Sequence, residues 1–173
     1  GNTAEVIEAR EAMRTGKPSD LVTLTAHLAY HVLELANVNA TVQQITEMMT
    51  SGAALSKFEQ MIEMQGGKLN DMSTCTWTPV NSPISGVIEN IDCSRLGNLL
   101  TSMGGGRTQK HDKLDHRCAI KIDVSVGDHI LEGQTLGHVC HPIAESFASE
   151  LLSSFGWSNS PIAPLALILG ITD

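Results

Sequence analysis

The chain has 173 residues, 42% of them hydrophobic and 17% charged, with 11 Lys and Arg against 19 Asp and Glu for a formal net charge of -8. That length suits one ordinary domain or two small ones, with enough apolar content to bury a core. The acidic balance argues against a dedicated nucleic-acid or anionic-membrane surface, and no apolar run approaches the roughly 20 residues that span a bilayer, so small-molecule or protein partners are expected.

Helical signals fill residues 1–67. A first helix is expected from Thr3, as cap, to Arg14, with Gly16 as its stop. A second begins after Pro18 with Ser19 or Asp20 as cap, and Leu21, Leu24, Leu28, Val32 and Leu35 fall on one stripe at helical spacing. Val22, Ala26, Ala29 and Leu33 are apolar as well, so this helix is expected to be covered on more than one side. The third carries Val42, Ile45 and Met49 after Thr41, and the fourth carries Leu55, Phe58 and Ile62 before Gly66 and Gly67. Four amphipathic helices in a row form a layer that needs something to cover.

Residues 68–82 read as a polar linker, after which the pattern turns β-like. "ISGVIENI" reads as a strand, "SRLGNLLTSM" as a short helix capped by Asp92 or Ser94 and stopped by the glycines at 104–106, and "CAIKIDV" as a second strand. In "VGDHILEGQTLGHV" the pairs Gly127-Asp128 and Gly133-Gln134 signal turns between short β runs. Pro142 opens a last helix whose face carries Ile143, Phe147, Leu151 and Phe155 up to Gly156, followed by an irregular tail to Asp173. The fold class expected is α/β: a helical segment over 1–67, a small mixed α/β domain over 83–142, and a helix and tail over 143–173.

Several residues invite chemistry. His138, Cys140 and His141, with His111, Asp112, Asp115 and His116 upstream, are legitimate zinc ligands by type, but their spacings match no paired-ligand pattern. His27 and His31 stand at i, i+4 on one helix without the glutamate of an H-E-x-x-H motif. Cys75, Cys93, Cys118 and Cys140 are widely spaced with no C-x-x-C pair, and no charged-then-apolar leader opens the chain. Free thiols and a cytoplasmic setting are therefore expected.

The run "SMGGGRTQKHDKLDH" at 102–116 poses a sharper question, because a glycine-rich turn beside an arginine can cradle phosphate. A P-loop or dinucleotide fingerprint places its glycines after a strand and at the start of a helix, where the helix end attracts anions. Here they follow a helix and meet its carbonyl end, which has the wrong partial charge. Gly104 to Arg107 is therefore expected to be a helix stop and a hinge-like loop, with Arg107 paired to Asp112 or Asp115.

Four blocks, "GNTAEVIEA", "SGAALSKFEQMIEMQGG", "SGVIENIDCSRLGNLLTSMGGGRTQKHDKLDHRCAIKIDVSVGD" and "GQTLGHVCH", together resemble the later part of thymidine and pyrimidine-nucleoside phosphorylases. That family's G-[AG]-G-R, D-x-[IL]-D and V-G-D pattern is matched by Gly104 to Arg107, Asp112, Leu114, Asp115 and Val126-Gly127-Asp128. The resemblance implies a helical layer packed on a sheet, then a barrel-sandwich-like C-terminal domain. It implies reversible phosphorolysis of thymidine or another pyrimidine nucleoside to the free base and (deoxy)ribose 1-phosphate, in a cytoplasmic homodimer, with phosphate as co-substrate and no cofactor. It also implies that the groups holding phosphate and base lie upstream of the segment that Gly1-Asn2 resembles, so that this chain alone is inactive and contributes no catalytic residue. Glu8 matches a position where some bacterial members bind a structural potassium ion; as a bare residue it reads as a solvated helix carboxylate.

A second reading comes from "VSVGDHILEGQTLGHV", which is similar to a turn of biotinyl and lipoyl carrier domains. A carrier needs an exposed lysine at a hairpin tip beyond that turn, and no lysine follows Lys121. A non-catalytic assembly module of that architecture is the alternative that remains.

Overall fold

Capping side chains decide where the helices of the first half begin. The computed structural model describes residues 2–68 and 76–170, and the chain divides into two compact units, Glu5–Met72 with Ala166–Asp173 and Gly1–Ala4 with Ser73–Leu165. Helix α2 (Asp20–Leu35) starts after Ser19, whose hydroxyl accepts the Val22 N–H at 3.3 Å. Helix α3 (Val42–Thr50) starts after Thr41 with a reciprocal capping box: Thr41 accepts the Gln44 N–H, and the Gln44 side chain accepts the Thr41 N–H. Helix α1 (Asn2–Thr15) already includes Thr3, so Thr3 is not its cap; its end at Gly16, with φ of 63°, is as expected. Helix α4 (Ala53–Met64) follows Gly52 and closes before Gly66, whose φ is 73°.

Inside the helical unit the apolar faces of α2 meet different fates. Val22 and Ala26 are buried, as is Ile45 of α3, which packs on α2. The Leu21, Leu24, Leu28, Val32, Leu35 stripe stays open, from 37% exposed at Leu21 to 85% at Leu35. The heptad-like stripe is therefore not what holds the described helices together; the smaller side chains beside it allow α2 and α3 to approach. No side chain of α4 is fully buried.

The other unit contains two three-stranded antiparallel sheets. One has the order β1 (Trp77–Asn81), β5 (Thr135–Cys140), β3 (Ala119–Ile122); the other has the order β4 (His129–Ile130), β2 (Gly86–Ile91), β6 (Phe155–Ser158). In the first sheet Thr78, Val139 and Ile120 lie in register, as do Val80, Gly137 and Ile122. These rows share one face, because directly opposed residues in an antiparallel ladder point the same way. Val80, Ile88, Val139, Leu136 and Ile130 join Leu99 of α5 (Cys93–Leu100) and Leu151 of α6 (Glu145–Leu152) in one apolar core. Helix α5 begins at Asp92, which accepts the Arg95 N–H at 3.0 Å.

Three sequence expectations change here. Strand β1 falls inside the stretch read as a linker; its Pro79 argues against a central strand, but β1 is an edge, where a proline is tolerated. Residues 69–75 of that linker lie outside the described residues. Phe155 is not the last contact of a helix: α6 ends at Leu152, and Phe155 reaches the core from β6, with Trp157 packed over Gly86. Residues 161–170 carry no helix or strand. Finally, the thiols are not all free. Cys93 and Cys118 are, but Cys140 is disulfide-bonded. Sequence spacing was a poor guide because tertiary pairing, not a C-x-x-C repeat, sets which cysteines meet.

Candidate functional site

The glycine run leaves α5 through a single π-type turn, Thr101–Gly105, and each glycine has a separate physical reason. Gly104 takes φ of 92°, which reverses the chain. Gly105 and Gly106 are constrained by close approach: a Cβ on Gly105 would lie 2.8 Å from Leu100 Cδ1, and one on Gly106 would lie 3.1 Å from Thr101 Cα. The run therefore folds back tightly against the last turn of α5, and packing, besides freedom, demands the missing side chains.

Two bonds close the base of the loop. The Asp115 N–H donates to the Gly104 carbonyl at 2.9 Å. The buried Cys118 thiol donates to the Met103 carbonyl at 3.0 Å, and burial pushes its pKa up, so it is a structural thiol and not a nucleophile.

Within the loop, the Asp112 carboxylate occupies the one anion nest. A single oxygen accepts the Thr108 N–H at 2.9 Å, the Thr108 hydroxyl at 2.6 Å and the Gln109 N–H at 2.8 Å. The Thr108 hydroxyl first, and then the two backbone donors, hold the Asp112 pKa below the usual carboxylate range. A phosphate would have to displace this internal anion. Asp115 is held well below its ordinary pKa by the Arg117 guanidinium and then by the Arg117 backbone N–H, with the closest guanidinium contact at 2.8 Å. The expected pairing of Arg107 with Asp112 or Asp115 is thus replaced by these local partners, because Thr108, Gln109 and Arg117 are nearer along the chain. Among the described residues Arg107 makes no ion pair and affects Asp112 only through its field.

The other sequence candidates are dispersed. The His138 Nδ1–H donates to Asp123 at 2.7 Å, and Lys121 reaches the other Asp123 oxygen at 2.5 Å. Burial pushes the Asp123 pKa up, but the Lys121 and His138 hydrogen bonds outweigh it and the net shift is downward. This link escaped the sequence because it depends on the Lys121–His138 register of β3 and β5. Cys140, as a disulfide, cannot serve as a thiolate ligand. His31 contacts Glu34 at 3.2 Å. Glu8 is exposed on α1, and among the described residues no group of three or more His, Cys, Asp or Glu is arranged to hold a metal. Glu8 thus offers one solvated carboxylate, which by itself does not make an ion site.

Comparison with known proteins fits this architecture. Residues 87–149 match the pyrimidine nucleoside phosphorylase C-terminal domain. A thymidine phosphorylase of Mycobacterium tuberculosis is 29% identical over 162 residues, which is 91% of this chain and 37% of that relative. A pyrimidine-nucleoside phosphorylase of Staphylococcus aureus is 29% identical over 186 residues, covering 100% of this chain and 43% of the relative. The chain thus spans about two fifths of the length of these relatives, and the similarity includes the helical unit as well as the matched domain. The chain is thus similar in sequence to thymidine and pyrimidine-nucleoside phosphorylases, and its residues 87–149 to their C-terminal domain.

Proposed function

We propose that this chain is the C-terminal portion of an enzyme that cleaves thymidine or another pyrimidine nucleoside with phosphate, reversibly, to the free base and (deoxy)ribose 1-phosphate. The observation that carries the reading is that similarity to such enzymes extends over the helical unit and the 87–149 domain in one alignment. Catalysis of this kind holds base, sugar and phosphate together with preorganised groups. The loop at 104–116 is no phosphate site in this reading, since its donors are already committed to Asp112. The phosphate and base contacts come from the remainder of the enzyme, and the 173 residues alone are inactive.

In the same reading residues 1–67 are the helical segment of a central α/β domain, and the open α2 stripe is the surface that packs on its sheet. The full-length enzyme is a cytoplasmic homodimer. Among the described residues no helix is long and apolar enough to cross a membrane.

The reading is tested by a chimera in which this chain replaces the aligned segment of the Mycobacterium tuberculosis relative. Phosphate-dependent release of thymine or uracil from the nucleoside is expected of the chimera and not of the isolated chain. A folded chimera without that activity refutes the proposal.

A further inference from the structure

A cavity of about 570 Å3 opens between the start of β1 and the connection from β5 to α6, lined by Thr76, Thr78, His141, Ala144, Glu145 and Ser146 among others. Its volume lies in the range of small-molecule sites, roughly 300–1,000 Å3. Three hydroxyls, one carboxylate and one imidazole therefore line a single concavity, on residues that the glycine loop does not use.

The imidazole is fixed before any ligand arrives. Its Nδ1 accepts the Ile143 N–H at 3.2 Å, and its ring packs edge-on against Phe147 with centroids 4.9 Å apart. In the neutral ring that bond leaves Nε2 as the N–H donor. The chemistry of the wall also selects against anions. The N–H groups of Ala144, Ser146 and Phe147 already donate to the carbonyls of His141, Ile143 and Ala144, and the Glu145 carboxylate repels negative charge. Pro142 and the half-exposed Ile143 complete the lining with apolar surface.

The geometry points to a binding site for a neutral, polyhydroxylated small molecule of sugar or nucleoside size in the Thr76–Thr78–His141–Ser146 cavity. Hydroxyl groups of such a ligand both donate and accept, as the Thr and Ser hydroxyls require. Glu145 accepts from a ligand hydroxyl, and the His141 Nε2–H donates to one. Pro142 and Ile143 cover an apolar ring face. The site is independent of the phosphorolysis reading, because it uses this chain's residues alone.

Amide NMR of the full chain tests it with D-ribose, uridine and inorganic phosphate as probes. Saturable shifts centred on Thr78, His141 and Ser146 are expected with uridine, with or without a response to ribose; both responses assign recognition to the sugar hydroxyls, and uridine alone adds the base on Pro142 and Ile143. The shifts should be lost in Ser146→Ala and in Thr78→Val, each checked for an unchanged spectrum in β2 and β6. No saturable shift with either ribose or uridine overturns the proposal. A response to ribose alone assigns recognition to the sugar hydroxyls and supports the proposal, whereas a response produced equally by phosphate, or one retained in both variants, overturns it.

Discussion

The Asp115 N–H meets the Gly104 carbonyl at 2.9 Å, so the eleven-residue separation between a helix stop and a charged loop is closed by one backbone bond. Asp115 then spends its carboxylate on Arg117, which depresses its pKa. A depressed folded-state pKa means that the stabilisation is present above the ordinary carboxylate value and is lost as pH falls through that value toward the folded one.

Asp115→Asn should therefore lower the melting temperature at neutral pH and flatten its acid dependence below about pH 4. The pair is largely solvent-accessible, so the difference at neutral pH should not exceed about 1 kcal/mol. Parallel melting curves for both proteins across the acid range would show the expectation to be wrong.

The filled nest at Asp112 makes a separate prediction about anions. Titrating phosphate into the labelled chain should give no saturable amide shift at 104–109, because the Thr108 and Gln109 donors are occupied. In Asp112→Ala the same titration should produce a response at Thr108 and Gln109. Saturable binding in the unsubstituted chain, lost in Arg107→Ala, would reinstate the phosphate cradle.

Two glycines offer a contrast in packing. A Cβ on Gly137 would collide with the Lys121 carbonyl on the neighbouring strand, whereas one on Gly97, in the middle of α5, would meet open space. Gly137→Ala should cost about 1–3 kcal/mol or more in urea unfolding by overpacking the sheet. Gly97→Ala should stabilise by about 0.5–1 kcal/mol, the usual helix preference. Equal midpoints for the two variants would mean that β3 and β5 do not approach as described.

The open stripe on α2 predicts how the isolated chain behaves. Leu28→Gln with Val32→Gln should reduce self-association in sedimentation while changing stability by no more than about 0.5 kcal/mol, the range of surface substitutions. Amide exchange should be faster over residues 3–65 than over 84–141, since the helical unit buries few side chains. Protected helices and fast-exchanging strands would relocate the core.

Much of this architecture was legible in the sequence because its signals are local. Ser19, Thr41 and Asp92 cap where their residue types and the following apolar periodicity predict, and Gly104 reverses the chain after α5 with a positive φ in the turn Thr101–Gly105. What escaped was non-local. Strand β1 is short, carries Pro79 and is recognisable only from its pairing with β5; Phe155 satisfies a helical period and a strand equally well, and only its register with Ile91 decides. The Lys121–Asp123–His138 link likewise depends on which strands lie side by side. The family pattern at 104–128 could be read as a string of residues, whereas the reason for Gly105 and Gly106, contact with Leu100 and Thr101, could not.

We propose above that these residues form the C-terminal portion of a pyrimidine-nucleoside phosphorylase. The most direct measurement of this is thymine and uracil release by the chimera with the Mycobacterium tuberculosis relative, run with and without phosphate beside the isolated chain. Base release that requires phosphate is expected from the chimera, and none from the isolated chain. A chimera that melts cooperatively yet releases no base with phosphate, or an isolated chain that does release it, would mean that these residues are not the C-terminal portion of such an enzyme as proposed.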